Sequence, residues 1–352
     1  MFMKDNGRIK FFLKDPNKKD ILTIIKEVVN LWIIKKEIPF YYFKHIYKKD
    51  VSNYKDYLGT KEGSLIHKSK GLHKPEHVTI MRNKLAFGQY FEKVGLPTPK
   101  LLCFNHNNEF VYRDQSTFVN SKDDVVGFFQ NGLESTGNTE MFIRPLSLEG
   151  GVGCFKLNLN NCKSKVDYHY EDFLAGSFVC TEVIKQHPEI NNIFDKSINT
   201  IRMLSFIDKD NNIRLISAAM RFGIGDSVVD NGSSGGFFVG IDLETGTLKD
   251  KGHQFNEHGG ATPTEHPDTG YVFGDFKIPF FDESRELVKK ALEHLPTGFA
   301  GWDIAITPSG PTLIEANENP HLHLSDMAYG GLSKNPHIKQ LIDDLKKGHY
   351  SN

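Results

Sequence analysis

The sequence predicts an α+β protein in which antiparallel β-hairpins alternate with amphipathic helices. Two observations support this prediction. Strand-like runs come in pairs joined by short turns, as at 200–207 and 213–222. Other stretches have apolar residues at helical spacing and begin or end at capping residues. With 352 residues, the chain has room for two or three domains and an ample core.

Residues 1–80 are predicted to form a mostly helical N-terminal region. Asp20 suits the N-cap of a helix whose apolar stripe runs from Ile21 to Trp32. The window 21–34 is the most apolar of the chain, but Lys26 and Glu27 interrupt it, and it is too short to span a bilayer. The lysines of this region are interpreted as a solvated face rather than a nucleic-acid patch.

The remaining elements follow from caps and periodicity. Helices are predicted at 83–94, around 287–295 and from Asn335-Pro336 onwards. Strands are predicted at 110–113, 141–145, 178–184 and 237–241. The polar segment 250–280 is long for a simple connection, and we expect it to be a loop that covers a site.

Composition excludes several function classes. The formal net charge is −1, with 39% hydrophobic and 25% charged residues, so no global field favours nucleic acid or an anionic membrane. No signal peptide or integral membrane segment is expected. Four cysteines without metal-binding spacing indicate free thiols in a reducing compartment, and we expect a cytoplasmic protein. They are Cys103, Cys154, Cys162 and Cys180.

A glycine-rich hairpin loop follows the predicted strand 141–145. The loop contains Gly150, Gly151 and Gly153, and Arg144 lies on the strand that enters it. Without a Cβ atom, glycine lets backbone N–H groups approach phosphate oxygens closely. Such hairpins are often only turns, but the basic residue before the loop favours phosphate binding.

Two arginines lie in the predicted hairpin 200–222. Arg202 is in its first strand and Arg221 in its second, and a Gly- and Ser-rich loop, DNGSSGG, begins at Asp230. Single arginines in strands usually face solvent. Two of them in adjacent strands beside a polar loop could instead form an anion pocket, and the sequence leaves both readings open.

The stretch 301–320, GWDIAITPSGPTLIEANENP, has the pattern of an acidic β-hairpin. Counting outward from the turn places Asp303 across from Glu315, with Asn317 on the same face. Two facing carboxylates destabilise a ladder unless a cation lies between them. Because Mg²⁺ takes carboxylate and amide oxygens, we expect a metal site here. The alternative is a solvent-facing hairpin edge with scattered acids.

The order of these elements resembles the ATP-grasp superfamily, in which a basic residue precedes a glycine-rich hairpin and an acidic metal hairpin follows. Within it, the sequence is similar to the sugar-transfer-associated branch, which is linked to glutamate ligase-like proteins. The resemblance implies two α+β lobes with antiparallel sheets that enclose ATP. It places an N-lobe at 81–181 and a C-lobe at 182–352.

The resemblance also implies roles for individual residues. The nucleotide set comprises Lys84 and Arg144 for the phosphates, Gly150, Gly151 and Gly153 for the loop over them, Glu182, Val183, Ile184 and Lys185 for adenine, and Glu189 for ribose. Arg202 and Arg221 match arginines near the γ-phosphate and the acyl substrate. Asp303, Glu315 and Asn317 match ligands of Mg²⁺.

The sequence departs from the superfamily pattern in the phosphate loop. Arg144 stands where a lysine is usual, and a guanidinium cannot reproduce a point charge on a slim stem. Leu148 and Val152 stand where glycine and lysine are common, so the loop is less cationic.

The resemblance implies an ADP-forming ligase that joins an amino acid or sugar acid to an amine through an acyl phosphate. Its expected partners are small-molecule carboxylate and amine substrates, and family association points to surface-polysaccharide biosynthesis. Two alternatives remain: a phosphotransferase acting on a non-carboxylate acceptor, and a nucleotide-binding regulator without turnover. The intact acidic hairpin argues against the regulator. His266, His321 and His323 are interpreted as exposed loop residues, with catalysis by one of the last two as the alternative.

Overall fold

The computed structural model describes residues 11–146, 148, 150–227, 229–230, 232 and 235–350. Contacts between Cα atoms divide the chain into two compact units. Unit 1 consists of Met1–Val78, Gln186–Pro311 and Ala316–Asn352, and unit 2 consists of Thr79–Lys185 and Thr312–Glu315. The boundaries at 80/81 and 181/182 that the sequence suggests stay a prediction. Among the described residues, no helix combines the length and apolar character that crossing a membrane requires.

Several helices precede the first strand, and the strands then come singly or in consecutive groups separated by helices. The helices are α1 (Ile21–Lys35), α2 (Thr60–Lys68), α3 (Pro75–Arg82), α4 (Lys84–Lys93), α5 (Lys122–Thr136), α6 (Cys162–Ala175), α7 (Pro188–Asn191), α8 (Phe281–His294), α9 (Leu322–Ala328) and α10 (Pro336–Lys346). The strands are β1 (Leu101–His106), β2 (Glu109–Tyr112), β3 (Gln115–Phe118), β4 (Glu140–Pro145), β5 (Phe155–Asn158), β6 (Ser177–Glu182), β7 (Thr200–Ile207), β8 (Ile213–Phe222), β9 (Phe237–Ile241), β10 (Leu248–Gln254), β11 (Phe299–Thr307) and β12 (Gly310–Asn317). The predicted α+β class is confirmed.

Unit 2 is built on an antiparallel sheet of strand order β3-β2-β1-β6-β4-β5. Its core contains three fully buried aromatic side chains, Phe110, Phe129 and Phe173. Two of these come from α5 and α6, helices that the sequence analysis missed. In α6 only Cys162, Val166 and Phe173 are buried, so its apolar periodicity is too sparse to detect.

Unit 1 contains a sheet of strand order β10-β9-β8-β7-β11-β12. Strand β7 is buried along almost its whole length, as a central strand requires. Its neighbours are β8, with Arg202 opposite Ala219, and β11, with Arg202 opposite Asp303. The pairing with β11 therefore places a basic and an acidic side chain next to each other inside the sheet.

Two sequence predictions about strands were wrong in detail. Strand β6 ends at Glu182, so the expected strand 178–184 is two residues too long. Residues 250–254 belong to strand β10 rather than to a loop, because Gly252, His253 and Gln254 pair with β9. Polar side chains on this strand hide it from a search for apolar alternation.

The N-terminal helix α1 begins as expected, with Asp20 accepting a hydrogen bond from the backbone N–H of Thr23 at 2.9 Å. Its buried face differs from the predicted stripe. Ile24 and Leu31 are buried, whereas Ile21 and Trp32 are 63% and 57% exposed. Because apolar residues surround most of this helix, the sequence could not show which side the core would cover.

Candidate functional site

Arg202 and Asp303 form a buried ion pair between β7 and β11. Nε of Arg202 donates to Oδ1 of Asp303, and Nη2 donates to Oδ2 at 3.0 Å. The two side chains are 11% and 2% exposed. A guanidinium that meets a carboxylate through two N–H donors is held in both position and orientation. The sheet register therefore fixes the direction in which Arg202 points.

Arg221 reaches the same carboxylate from β8. Its Nη2 lies 2.9 Å from Oδ2 of Asp303. Its Nε donates to Oγ1 of Thr200 at 3.1 Å, and its Nη2 donates to that hydroxyl as well. Thr200 lies two residues before Arg202 on β7, so both side chains project from one face of the strand. Two guanidinium groups thus converge on one buried acid.

Asp230 completes this cluster from the loop after β8. Its Oδ2 accepts hydrogen bonds from the backbone N–H of Thr200 at 2.7 Å and from its hydroxyl at 2.5 Å. Nε of Arg221 lies 3.5 Å from the same oxygen. Burial raises the pKa of Asp230, and the positive charge of Arg221 acts in the opposite direction. The threonine hydroxyl therefore links the loop carboxyl to the arginine.

The arginines that the sequence singled out are buried rather than solvent-facing, each being 9% exposed. The carboxylate of Asp303 binds both, so the site is a mixed cluster of cations and acids. The sequence analysis missed Thr200 and Asp230. The one sequence signal for Asp230 is that it begins the polar loop DNGSSGG. Its partners lie on strands elsewhere in the sequence, so no local pattern could predict them.

Arg144 lies at the end of β4 in unit 2 and is 8% exposed. Its Nε is buried and has no hydrogen-bond partner among the residues that the structure describes. Burial lowers the pKa of Arg144, and the nearby carboxylate of Glu315 acts in the opposite direction. A buried N–H without an acceptor is costly, and an anionic group such as phosphate would satisfy it. This orphaned donor fits the predicted phosphate contact.

The glycine-rich loop after Arg144 adopts a backbone that favours glycine. Gly150, Gly151 and Gly153 have φ angles of 71°, 78° and 73°. Nζ of Lys84, at the start of α4, donates to the carbonyl oxygen of Leu148 at 2.7 Å. The predicted phosphate residues Lys84 and Arg144 therefore lie with this loop in unit 2.

Cys154, which the sequence analysis did not assign to the site, directly follows the glycine-rich loop. Burial raises the pKa of its thiol, while the nearby charges of Arg144 and Lys84 lower it. Both cations therefore act electrostatically on the same thiol.

The segment predicted to contact adenine lies at the end of unit 2. Glu182 ends β6, and its Oε1 accepts a hydrogen bond from the backbone N–H of Lys100 at 3.1 Å. Val183, Ile184 and Lys185 continue without regular structure, and the longer of the two segments of unit 2 ends at Lys185. Backbone N–H and C=O groups in such a segment are not used in β-sheet hydrogen bonds, and recognition of adenine through the backbone requires groups of this kind.

The remaining predicted residues are Glu189, Glu315 and Asn317. Glu189 lies exposed in the short helix α7. Glu315 and Asn317 are half-buried and two residues apart on β12, so they share one face of that strand. The carboxylate and amide oxygens of Asp303, Glu315 and Asn317 are the donor types that a hard divalent cation prefers. Their joint role as metal ligands stays a prediction.

The interpretation of His266 as an exposed residue was wrong. Its ring is fully buried, stacks on Phe194 with centroids 4.6 Å apart, and contacts the carbonyl oxygen of Gly223 through Nε2 at 3.2 Å. Burial lowers the pKa of His266. His321 precedes α9 as its N-cap residue, and the ring of His323 stacks on Phe255. His266 is thus a structural histidine, whereas His321 is exposed as interpreted, and the alternative of catalysis by His321 or His323 stays a prediction.

Comparison with known proteins finds one family. A model described as sugar-transfer associated ATP-grasp matches residues 164–340, which is half of the chain. A comparison with curated protein sequences finds no match.

Solved structures with a similar fold include three synthetases or ligases. D-alanyl-alanine synthetase A from Vibrio cholerae O1 biovar eltor has 12% identity and a TM-score of 0.47, over 79% of this chain and 68% of that one. The ATP-grasp ligase PsnB, with Mg and ADP, has 13% identity and a TM-score of 0.42, over 80% and 62%. N5-carboxyaminoimidazole synthase from Aspergillus clavatus has 10% identity and a TM-score of 0.41, over 70% and 46%. The chain thus spans less than two thirds of the length of the last two.

Proposed function

Because this chain belongs to the sugar-transfer associated ATP-grasp family, we propose that it is a ligase that uses ATP to join a carboxylate to an amine, releasing ADP and phosphate. The observation that most directly supports this is the pair of buried arginines, Arg202 and Arg221, held by Asp303. A carboxylate is a poor electrophile because its charge is delocalised and its leaving group would be oxide. Transfer of a phosphoryl group turns that oxygen into a good leaving group.

The proposed reaction has two steps. A carboxylate oxygen of the acid substrate attacks the γ-phosphorus of ATP, and the bond to the bridging oxygen of ADP breaks. The amine nitrogen then attacks the acyl carbon, loses a proton and displaces phosphate. Catalysis of the first step depends mainly on positioning and on neutralising charge.

Arg202 and Arg221 suit this task because the sheet holds them before any substrate arrives. A guanidinium has five N–H donors, and Asp303 accepts two from Arg202. We propose that the other N–H donors of Arg202 bind the substrate carboxylate and the transferred phosphoryl group. Donors fixed in a buried site need little reorganisation during the reaction, which is the main source of electrostatic catalysis.

We propose that ATP is bound by the residues of the nucleotide set. Lys84, Arg144 and the glycine-rich loop would contact the phosphates, the segment Glu182–Lys185 would contact adenine, and Glu189 would contact ribose. The unpaired Nε of Arg144 supports the phosphate assignment. Asp303, Glu315 and Asn317 would hold Mg²⁺, which supplies charge neutralisation at the phosphates when bound.

The acid substrate is proposed to be an amino acid or a sugar acid. The family description, sugar-transfer associated, supports a role in building surface polysaccharide. A cytoplasmic location, where ATP is available, is part of the same proposal.

The reaction is tested by screening amino acids and sugar acids for stimulated ADP release, with hydroxylamine added to trap an acyl phosphate as a hydroxamate. We expect one ADP per hydroxamate. Arg202→Lys, which loses the guanidinium fork, should reduce hydroxamate formation roughly hundredfold. Arg214→Lys is the matched control, because Arg214 lies on β8 and pairs with Asp208 at 2.8 Å instead. A stable phosphate ester on the acceptor, formed in step with ADP, would identify a phosphotransferase.

A further inference from the structure

Helix α1 presents a continuous apolar face to solvent. Seven of its apolar residues are between 44% and 76% exposed, and all but Ile34 lie on one side: Ile21, Leu22, Ile25, Val29, Trp32 and Ile33. At 3.6 residues per turn, these positions fall within a single arc of about 120° that includes no other residue of the helix. Ile38 and Phe40, just beyond the helix, are 59% and 71% exposed. An exposed apolar surface of this extent indicates an interaction site.

The opposite face of α1 is anchored, so the helix cannot rotate to bury this arc. Ile24 and Leu31 pack into a cluster rich in buried tyrosines. Between them, the carboxylate of Glu27 accepts hydrogen bonds from the hydroxyl of Tyr42 at 2.6 Å and from Nζ of Lys19 at 2.7 Å. Turning the helix would expose this packed face and break a buried hydrogen-bonded acid, so the exposed arc is a stable feature of unit 1.

A lysine-rich groove of about 1190 Å³ adjoins the C-terminal end of α1. Ile34 and Leu65 contribute apolar surface to it, and Glu62 is the single acid among the described residues that line it. Its basic lining residues are Lys36, Lys61, Lys68, Lys70 and Lys346, together with Lys35, whose Nζ pairs with Glu62 at 2.7 Å and is therefore already neutralised. The net charge of −1 for the whole chain conceals this local excess of positive charge.

We propose that α1 and this lysine groove dock the protein on the surface of a membrane that contains anionic phospholipids. The apolar arc would enter the boundary between headgroups and acyl chains, as interfacial helices do, and the lysines would contact the phosphate-bearing headgroups. The apolar arc along α1 and the lysines beyond its C-terminal end supply the two kinds of contact that such a membrane offers.

Two other partners fit this surface less well. Nucleic acid would use the lysines but would leave the aliphatic arc exposed. A second copy of the chain could cover the arc, but a symmetric contact that included the groove would bring lysines against lysines. The membrane is the occupant that uses both features.

The test is co-sedimentation of the full chain with vesicles made of equal parts of phosphatidylglycerol and phosphatidylcholine, compared with vesicles of phosphatidylcholine alone. We expect binding to the anionic vesicles that decreases with added salt. The double variant Ile25→Ser, Trp32→Ser should weaken it by about tenfold or more, since it removes two inserted apolar side chains. Lys68→Glu combined with Lys70→Glu should also weaken it by about tenfold or more.

Matched controls lie in unit 2. Phe118 is 63% exposed, and Lys156 and Lys163 are exposed lysines, so Phe118→Ser and the pair Lys156→Glu, Lys163→Glu should leave vesicle binding unchanged. The proposal would be overturned if the wild-type protein sedimented equally with both vesicle types. It would also be overturned if the control variants lost as much vesicle binding as the α1 and groove variants. If the wild type does not bind vesicles, two further results would also contradict the proposal. One is a wild-type dimer that Trp32→Ser dissociates, and the other is oligonucleotide binding that is lost in the Lys68→Glu, Lys70→Glu variant.

Discussion

Arg221 and Asp303 are joined by a hydrogen bond of 2.9 Å between Nη2 and Oδ2 that crosses an intervening strand. Arg221 lies on β8 and Asp303 on β11, and β7 runs between them. Asp303 also binds Arg202 on that middle strand. One carboxylate therefore aligns two cations, and its loss would leave both without their shared acid.

Asp303→Ala is expected to destabilise the fold as well as abolish turnover. The sequence alone suggests that removing one acid of a facing pair relieves repulsion. The structure reverses that expectation, because the change leaves buried guanidinium groups without their carboxylate. Removing one partner of a buried ion pair typically costs about 3–5 kcal/mol in the free energy of unfolding. Denaturant unfolding measures this change, and ADP release measures the loss of activity.

The control for this variant is Asp226→Ala. Asp226 pairs with Lys196 at 2.8 Å, but its side chain is fully exposed. Its removal should leave both the unfolding curve and ADP release as in the wild type. An Asp303→Ala protein of unchanged stability would show that the two arginines find other acceptors.

Arg144→Ala is expected to weaken ATP binding. Loss of a charge-assisted hydrogen bond to phosphate would cost about 1.5–3 kcal/mol in binding free energy. Arg144→Lys should recover part of it, because an ammonium supplies charge without the fork. Isothermal titration calorimetry measures the dissociation constant. Arg113→Ala, an exposed arginine of the same unit, is the control and should bind ATP normally. An unchanged dissociation constant in Arg144→Ala would assign that residue a structural role.

Gly153→Ala is expected to raise KM for ATP. Gly153 has a φ of 73°, and a Cβ there would lie 3.0 Å from Cγ of Pro145. A left-handed conformation costs an L-residue about 1–2 kcal/mol, so the loop should shift. Gly127→Ala is the matched control, since Gly127 lies in α5 and, in the described part of the chain, the added Cβ would meet nothing within 4 Å apart from its chain neighbours and the backbone of its own helix. Steady-state kinetics should show the effect in the first variant alone, and equal KM values would mean that the loop does not hold phosphate.

Asp326 is expected to make stability fall as pH rises. Burial raises the pKa of this carboxyl from 3.8 to about 7, although the backbone N–H groups of Leu332 and Leu58 oppose the shift. A raised pKa means that the folded state holds the proton more tightly than the unfolded state. The stabilising contribution is therefore complete below pH 3.8 and is lost as pH rises to about 7.

The measurement is denaturant unfolding of wild type and Asp326→Asn at several pH values between about 4 and 8. The difference between the two proteins removes the contributions of His45 and His253, whose pKa values burial lowers in both. The free energy of unfolding of the wild type, minus that of the variant, should fall as pH rises across this window, by up to about 1.4 kcal/mol per pH unit. A difference that stays constant with pH would mean that Asp326 is ionised throughout.

The sequence by itself determined the features that depend on neighbouring residues. The hairpin of β7 and β8 has the bounds that apolar alternation predicts, because both strands are buried and their turn is local. Asp20 and Asn335 cap α1 and α10 as expected, since a cap involves only the next few residues. The glycine-rich loop was visible for the same reason. The family was recognisable because these local signals come in a specific order.

Tertiary structure alone decided which side chains meet. Arg202 and Asp303 are 101 residues apart, and only the pairing of β7 with β11 brings them together. The partners of Asp230, the burial of His266 and the exposed face of α1 were equally hidden. Each depends on which surface packs against a distant segment. A one-dimensional pattern shows that a helix or strand has an apolar or charged face, but the core it meets determines whether that face is buried, paired or left to solvent.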